Sequence, residues 1–127
     1  MKYLLDTHVA KWALDETEKL SGAARAIIGN TSLHLCVSIA SAWEIAVKIS
    51  IGKLDFHGGT ANFLEKLRHF GVEIIGINDA HIKLIETLPF VHRDPFDRIL
   101  IATAMAENLT IITSDETIRK YEVQCVW

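Results

Sequence analysis

The feature that most limits the fold of this chain is a regular alternation between short β-branched runs and longer stretches with helical spacing. We predict strands at 2–5, 33–37, 73–77, 109–113 and 123–127, with the last one at an edge of the sheet. In the segments between them, apolar residues recur three and four positions apart. This alternation predicts a three-layer α/β/α fold with a central parallel sheet of about five strands.

Capping residues divide the segments between the strands into helices. We predict helices over about 9–13, 21–28, 39–51, 60–70, 78–88 and 95–107. Ser38 is a preferred N-cap for the long third helix, which Gly52 ends. Asp94 and Pro95 supply a cap and a first-turn proline for the last helix. Ser21, Thr60 and either Asn78 or Asp79 are the predicted starts of three others, which gives six or seven helices.

Length and cysteine content indicate one reduced, soluble domain. At 127 residues the chain can bury a core without a disulfide, so we expect a single domain over 1–127. Cys36 and Cys125 lie in apolar strand-like runs and are interpreted as packed thiols. The apolar start is too short for a signal peptide, and no run approaches the roughly twenty apolar residues of a transmembrane helix. We expect a cytoplasmic protein without membrane contact.

Four acidic residues fall where the predicted fold would bring side chains together. Asp6 ends the first strand and Asp115 follows a late one, while Glu44 and Asp97 share helix faces with apolar residues. Carboxylates repel one another unless a cation binds, and their oxygens are preferred ligands of Mg²⁺ and Mn²⁺. A net charge of −3 argues against bulk electrostatic binding of nucleic acid. The pattern therefore favours metal-assisted phosphodiester hydrolysis.

Each acid also has an ordinary structural explanation. Asp6 can cap the helix that follows it, and Asp115 can begin a turn. Glu44 can pair with Lys48, which lies one helical turn further on. These explanations are compatible with metal binding, and no single position is convincing without the other three.

The spacing of the last helix distinguishes the roles of the two acids at its start, Asp94 and Asp97. Asp94 reads chiefly as the helix cap, and Asp97 lies in the first turn, where an acid complements the helix dipole. Leu100 and Ile101 lie three and four residues after Asp97 and form an apolar face with it. This favours Asp97 over Asp94 as the residue that faces a metal.

Basic side chains near the acids are candidate contacts for a substrate phosphate. Lys48, Arg93 and Arg98 are the candidates, and salt bridging is their alternative role. His8 and His92 are also close to the acids in sequence. A lone histidine is more often structural, so we assign neither to the site.

Three strings carry a resemblance to a known family. They are KYLLDTHVAKWAL, VSIASAWEIAVKISIGKL and HRDPFDRILIATAMAENLTIITSDETIRKY, followed by the ending VQCVW. Over nearly the whole chain the sequence resembles the PIN domain family, especially the VapC-type toxin ribonucleases of bacterial toxin–antitoxin pairs. The resemblance implies Asp6, Glu44 and Asp97 as the core acids, with Asp115 as a fourth. It also implies Mg²⁺ or Mn²⁺ held by Asp6 and Asp97, an RNA substrate, a cognate antitoxin and a homodimer.

Other functions on the same architecture fit less well. A receiver-like phosphoacceptor domain needs an acidic pair at the end of the first strand and a lysine at the last strand, and neither is present. A haloacid-dehalogenase-like phosphatase needs a second acid two residues after Asp6, where His8 stands. A non-catalytic α/β interaction module, with its acids as caps and solvated charges, stays open.

Overall fold

The computed structural model describes residues 2–127 and contains a five-stranded parallel sheet, as predicted. The strands are β1 Lys2–Leu5, β2 His34–Ser38, β3 Glu73–Ile75, β4 Thr110–Ile112 and β5 Cys125–Val126. Their order is β3-β2-β1-β4-β5, and every neighbouring pair is parallel. The chain winds outward from β1 in one direction and then crosses to the other side of it. The carboxyl ends of β1 and β4 are therefore neighbours at a switch point, where α/β sheets bind ligands.

Both edge strands are shorter than the sequence predicts. Strand β3 ends at Ile75 rather than at 77, and β5 covers Cys125–Val126 rather than 123–127. An edge strand has a hydrogen-bonding neighbour on one side only. Residues with high β-propensity can therefore be predicted as strand although no partner strand pairs with them. Cys125–Val126 does form the predicted edge beside β4.

Six helices connect the strands within residues 2–127. They are α1 Thr7–Asp15, α2 Gly22–Ile28, α3 Ile39–Ser50, α4 Gly59–His69, α5 Asp79–Thr87 and α6 Pro95–Glu107, with short 3₁₀ helices at Thr17–Lys19 and Ile118–Lys120. In this part of the chain no helix combines the length and the apolar character needed to cross a membrane.

The predicted caps are confirmed at five helices and wrong at one. The confirmed caps each accept a backbone N–H with their side chain, and they are Asp6, Ser21, Ser38, Asn78 and Asp94. Helix α4, however, begins at Gly59 and not behind a Thr60 cap. Its N-cap is Gly58 at φ 79°, and a Cβ there would lie 2.7 Å from Asn62 Cβ, so only glycine fits.

The sheet separates two apolar layers. Successive strand residues point to opposite faces, so Leu5, Val37 and Ile112 pack with α1, α3 and α4, whereas Leu4 and Ile111 pack with α6. This is the predicted α/β/α arrangement. Cys36 is buried, which raises the pKa of its thiol to about 11, and both cysteines are free, in keeping with their interpretation as packed thiols.

Candidate metal centre

An open cavity of about 360 Å³ lies at the carboxyl ends of β1 and β4. It is lined by Asp6, His8, Trp12, Asp97, Ser114 and Asp115. Three of the four predicted acids therefore share one cavity. The fourth, Glu44, is close enough for its negative charge to raise the pKa of Asp97. Three acids from distant parts of the chain thus meet at one cavity, and Glu44 lies near Asp97.

Asp6 is held rigidly where β1 passes into α1. Its side chain is buried, Oδ1 accepts the backbone N–H of Val9 at 2.9 Å, and Oδ2 accepts the hydroxyl of Thr113. Thr113 directly follows β4, so this bond joins the two strand ends. Burial and the nearby charge of Asp115 raise the pKa of Asp6, and the two hydrogen bonds offset part of that effect. Asp6 thus caps a helix and lines the cavity at once.

Glu44 is buried on α3 with only half of its carboxylate paired. Oε2 accepts from Lys48 Nζ at 2.6 Å, and the side chain is almost fully buried. Among the described residues, Oε1 is a buried oxygen without a hydrogen-bond donor. Burial lowers the pKa of Lys48, but the bond and charge of Glu44 outweigh it and the pKa is raised overall. The unpaired Oε1 marks a place for a further cation, since an unmade bond to a buried charged group is costly.

The two acids at the start of α6 have separate roles. Asp94 Oδ1 accepts the backbone N–H groups of Phe96 at 2.8 Å and Asp97 at 3.3 Å, which makes it the predicted cap. Asp97 lines the cavity instead. Burial first, and then the charges of Asp94 and Glu44, raise the pKa of Asp97 to about 7. A carboxyl group with so high a pKa lies where a positive charge would stabilise its ionised form.

Asp115 and His92 form a pair at the far side of the cavity. His92 Nε2 donates to Asp115 Oδ2 at 3.0 Å and lies 3.1 Å from Asp97 Oδ2. Asp115 Oδ1 accepts the backbone N–H of Thr117 at 2.7 Å. Burial raises the pKa of Asp115, but these hydrogen bonds outweigh it and the pKa is lowered overall. Sequence reasoning left His92 unassigned, although its position two residues before the helix cap places it beside Asp97.

Arg98 does not face the cavity, and the prediction that it contacts substrate is wrong. It is buried, and its guanidinium donates to the carbonyls of Pro89 and His92 at 3.0 and 3.2 Å. It also donates to the carbonyls of Ile85 and Leu88. Because the segment between α5 and α6 is irregular, its carbonyls need a donor, and the fork of an arginine supplies several at once.

The donor set fits a hard divalent cation. Asp6, Glu44 and Asp97 offer carboxylate oxygens, which Mg²⁺ and Mn²⁺ prefer. The unpaired Glu44 Oε1 and the raised pKa of Asp97 are the two observations that favour a cation beside these acids. Among the described residues, His92, Asp97 and Asp115 also bring one possible ligand atom each within 4.8 Å of one another.

Comparison with known proteins shows which family the sequence is similar to. The family model described as PIN domain matches residues 3–124. Ribonuclease VapC22 from Mycobacterium tuberculosis is 29% identical over 119 residues, which cover 93% of this chain and 90% of that protein.

Solved structures share the fold at low identity. VapBC2 from Rickettsia felis, bound to a DNA fragment from its promoter, has a TM-score of 0.70 at 17% identity and covers 99% of this chain and 98% of that one. FitAcB from Neisseria gonorrhoeae has a TM-score of 0.67 at 17% identity and covers 98% and 96%. These similarities confirm the predicted fold class.

Proposed function

Because the family match spans nearly the whole sequence, this chain belongs to the PIN domain family, and we propose that it is a metal-dependent endoribonuclease acting as the toxin of a toxin–antitoxin pair. The similarity to Ribonuclease VapC22 supports cleavage of RNA. The observation that carries the proposal is the open cavity shared by Asp6, Asp97 and Asp115, with the buried, unpaired Glu44 Oε1 near Asp97.

Asp6 and Asp97 would hold Mg²⁺ or Mn²⁺, with Glu44 Oε1 facing the same charge. A divalent cation in such a site polarises a phosphoryl oxygen and lowers the pKa of a bound water. Two hydrogen bonds hold Asp6 in place, and the start of α6 holds Asp97. His92 and the backbone N–H of Thr117 hold Asp115 at the side of the cavity, and its proposed role is to orient neighbouring groups.

Features beside the acids suit a single-stranded RNA. His8 and Trp12 line the same cavity, with ring centroids 5.9 Å apart, and aromatic faces stack on unpaired bases. Lys48 remains the candidate contact for a phosphate, because its ammonium has three donors and Glu44 accepts one of them. Of the three basic candidates, Arg98 is buried away from the cavity, and a contact by the exposed Arg93 stays a prediction.

Partners of the protein are also part of the proposal. The solved neighbours include VapBC toxin–antitoxin complexes, which supports a cognate antitoxin for this chain. We further propose a homodimer. A toxin that cleaves cellular RNA would act in the cytoplasm, which agrees with the sequence-based expectation.

The test is metal-dependent cleavage by Asp6→Asn. Asparagine can still cap α1, so the variant should fold while losing RNA cleavage in the presence of Mg²⁺ or Mn²⁺. Asp55→Asn, at an exposed acid in the loop after α3, is the matched control and should cleave like the wild type. Full cleavage by Asp6→Asn in a nuclease-free preparation would contradict the proposal. Absence of both Mn²⁺ binding and cleavage in the wild type would favour a non-catalytic interaction module.

A further inference from the structure

The two ring nitrogens of His92 have different partners. Nδ1 accepts the backbone N–H of Asp94 at 3.2 Å. Nε2 lies 3.0 Å from Asp115 Oδ2 and 3.1 Å from Asp97 Oδ2. The ring is largely buried between these groups. One nitrogen therefore faces a donor and the other faces acceptors.

This arrangement fixes the position of the imidazole proton. A backbone N–H can bond only to a nitrogen lone pair, so Nδ1 of His92 carries no hydrogen and Nε2 carries it. A histidine that binds a metal does the reverse: its lone pair faces the ion and the other nitrogen donates to an acceptor. His92 thus has the tautomer in which Nε2 donates to the carboxylates. This holds even though Nε2 and the carboxylate oxygens are as close together as two ligands of one metal ion can be.

The loop holds the His92 backbone on both sides. The backbone N–H of His92 donates to Tyr121 Oη at 2.6 Å, and its carbonyl accepts from the buried Arg98 at 3.2 Å. The hydroxyl of Tyr121 in turn donates to the carbonyl of Pro89 at 2.7 Å. These bonds leave the imidazole little freedom to turn its Nε2 away from the acids.

The carboxylates that His92 faces differ in how many oxygens stay free. Asp115 accepts protein donors at both oxygens, from His92 and from the Thr117 backbone. At Asp97 no hydrogen bond from residues 2–127 reaches either side-chain oxygen, although Oδ2 lies 3.1 Å from His92 Nε2. The carboxylate of Asp97 is therefore left for a cation.

We propose that His92 is a positioning residue for the metal centre and not one of its ligands: its Nε2–H holds Asp115 in place beside Asp97, which leaves the carboxylate of Asp97 to the metal. The inference rests on the proposed function in placing a metal at these acids. Its test uses Mn²⁺ binding and spectroscopy without RNA, so it can fail independently of nuclease activity.

The first measurements use the wild-type protein. Long-range ¹H–¹⁵N NMR of the metal-free protein should show the Nε2–H tautomer for His92. Pulsed EPR of the Mn²⁺-loaded protein should show no directly bonded ¹⁴N. A tautomer protonated at Nδ1, or a directly bonded ¹⁴N signal that disappears in His92→Ala, would overturn the proposal and make His92 a ligand.

The variants separate positioning from a purely structural role. By calorimetry His92→Ala should bind Mn²⁺ about tenfold or more weakly, the usual effect of losing a group that orients a metal ligand. His92→Gln, whose amide can donate in place of Nε2–H, should recover most of that affinity. His57→Ala, at an exposed histidine in the loop after α3, should bind like the wild type.

Two outcomes with the variants would overturn the proposal. One is wild-type Mn²⁺ affinity in His92→Ala, and the other is an affinity of His92→Gln no better than that of His92→Ala. Thermal unfolding of each metal-free variant checks that it is folded. If His92→Ala does not fold, His92→Gln and the wild-type NMR and EPR measurements still test whether His92 positions the carboxylates or binds the metal.

Discussion

Glu44 shows at a single residue how the protein's own side chains offset part of its clustered negative charge. Lys48 pairs with one of its oxygens at 2.6 Å, and the other oxygen is buried without a donor. The remaining repulsion appears at Asp97, whose pKa is raised to about 7 by burial and by the charges of Asp94 and Glu44. Lys48 and the protonation of Asp97 thus do in part what a divalent cation would do.

Removal of the Lys48 ammonium should make the protein depend on metal for stability. We expect Lys48→Met to lower the free energy of unfolding by about 2 kcal/mol without metal, because Glu44 Oε2 loses its partner while buried. Saturating Mn²⁺ should then raise the unfolding temperature of Lys48→Met more than that of the wild type. Lys83→Met, at an exposed position on α5, is the control. Equal metal-free stabilities of Lys48→Met and the wild type would contradict this account.

The raised pKa of Asp97 predicts a pH-dependent stability of the metal-free protein. The ordinary pKa of Asp97 is 3.8 and its pKa in the folded protein is about 7, so between these values the folded state binds more protons than the unfolded state. Stability from this group is therefore present below about pH 4, falls as the pH rises to about 7, and changes no further above that.

Asp97→Asn removes that dependence. In urea unfolding with EDTA, the stability of Asp97→Asn relative to the wild type should increase between pH 4 and pH 8. An increase of more than about 1 kcal/mol is expected, because one pKa unit corresponds to about 1.4 kcal/mol. A difference that stays constant across this range would show that Asp97 titrates normally.

At the scale of elements, local signals explain what the sequence predicts correctly, and tertiary contacts explain what it does not. Ser38 and Asp94 cap their helices through bonds to residues two or three positions on, which a pattern can reveal. The Arg98 bonds depend on how the loop between α5 and α6 folds back over α6. The bond of His92 to Asp115 spans 23 residues and depends on the packing of two separate loops. Neither interaction produces a periodic pattern in the sequence from which it could be predicted.

Arg98 fixes the connection between α5 and α6, and its loss should destabilise the whole segment. We expect Arg98→Lys to lower the free energy of unfolding by about 3 kcal/mol, because an ammonium cannot replace the fork that serves the carbonyls of Ile85, Leu88 and Pro89. Arg93→Lys, at an exposed arginine of the same loop, should change stability by less than about 0.5 kcal/mol. Similar urea midpoints for the two variants would show that the guanidinium bonds contribute little.

At the scale of the molecule, strand order decides where the acids meet. Strand β1 is central, and β4 pairs with it so that Leu5 lies opposite Ile112. The Asp6 and Thr113 side chains, one residue beyond each of these, then bond to each other. A slip of one residue between β1 and β4 would turn these side chains to opposite faces of the sheet. The geometry of the site thus depends on register in the buried centre of the fold, which is the part least able to move.

The proposed homodimer has a candidate surface on the face formed by Ile39, Trp43 and Phe96. Trp43 is 61% exposed and Ile39, one helical turn before it, is 39% exposed. The Trp43 and Phe96 rings meet edge to face at 4.9 Å, which joins the N-terminal parts of α3 and α6 into one apolar face. Exposed apolar groups of this size are typical of protein interfaces.

Trp43→Lys should therefore shift the protein from dimer to monomer, because an ammonium at the centre of this face cannot be buried without a partner. Light scattering coupled to gel filtration at micromolar concentration would measure the mass, with unfolding temperature as a check on folding. Phe70→Lys is the matched control, since Phe70 is 69% exposed just after α4 and lies outside this face. A wild-type protein that is monomeric at every concentration would rule out the dimer. A dimer that survives Trp43→Lys but not Phe70→Lys would place the interface on the α4 side.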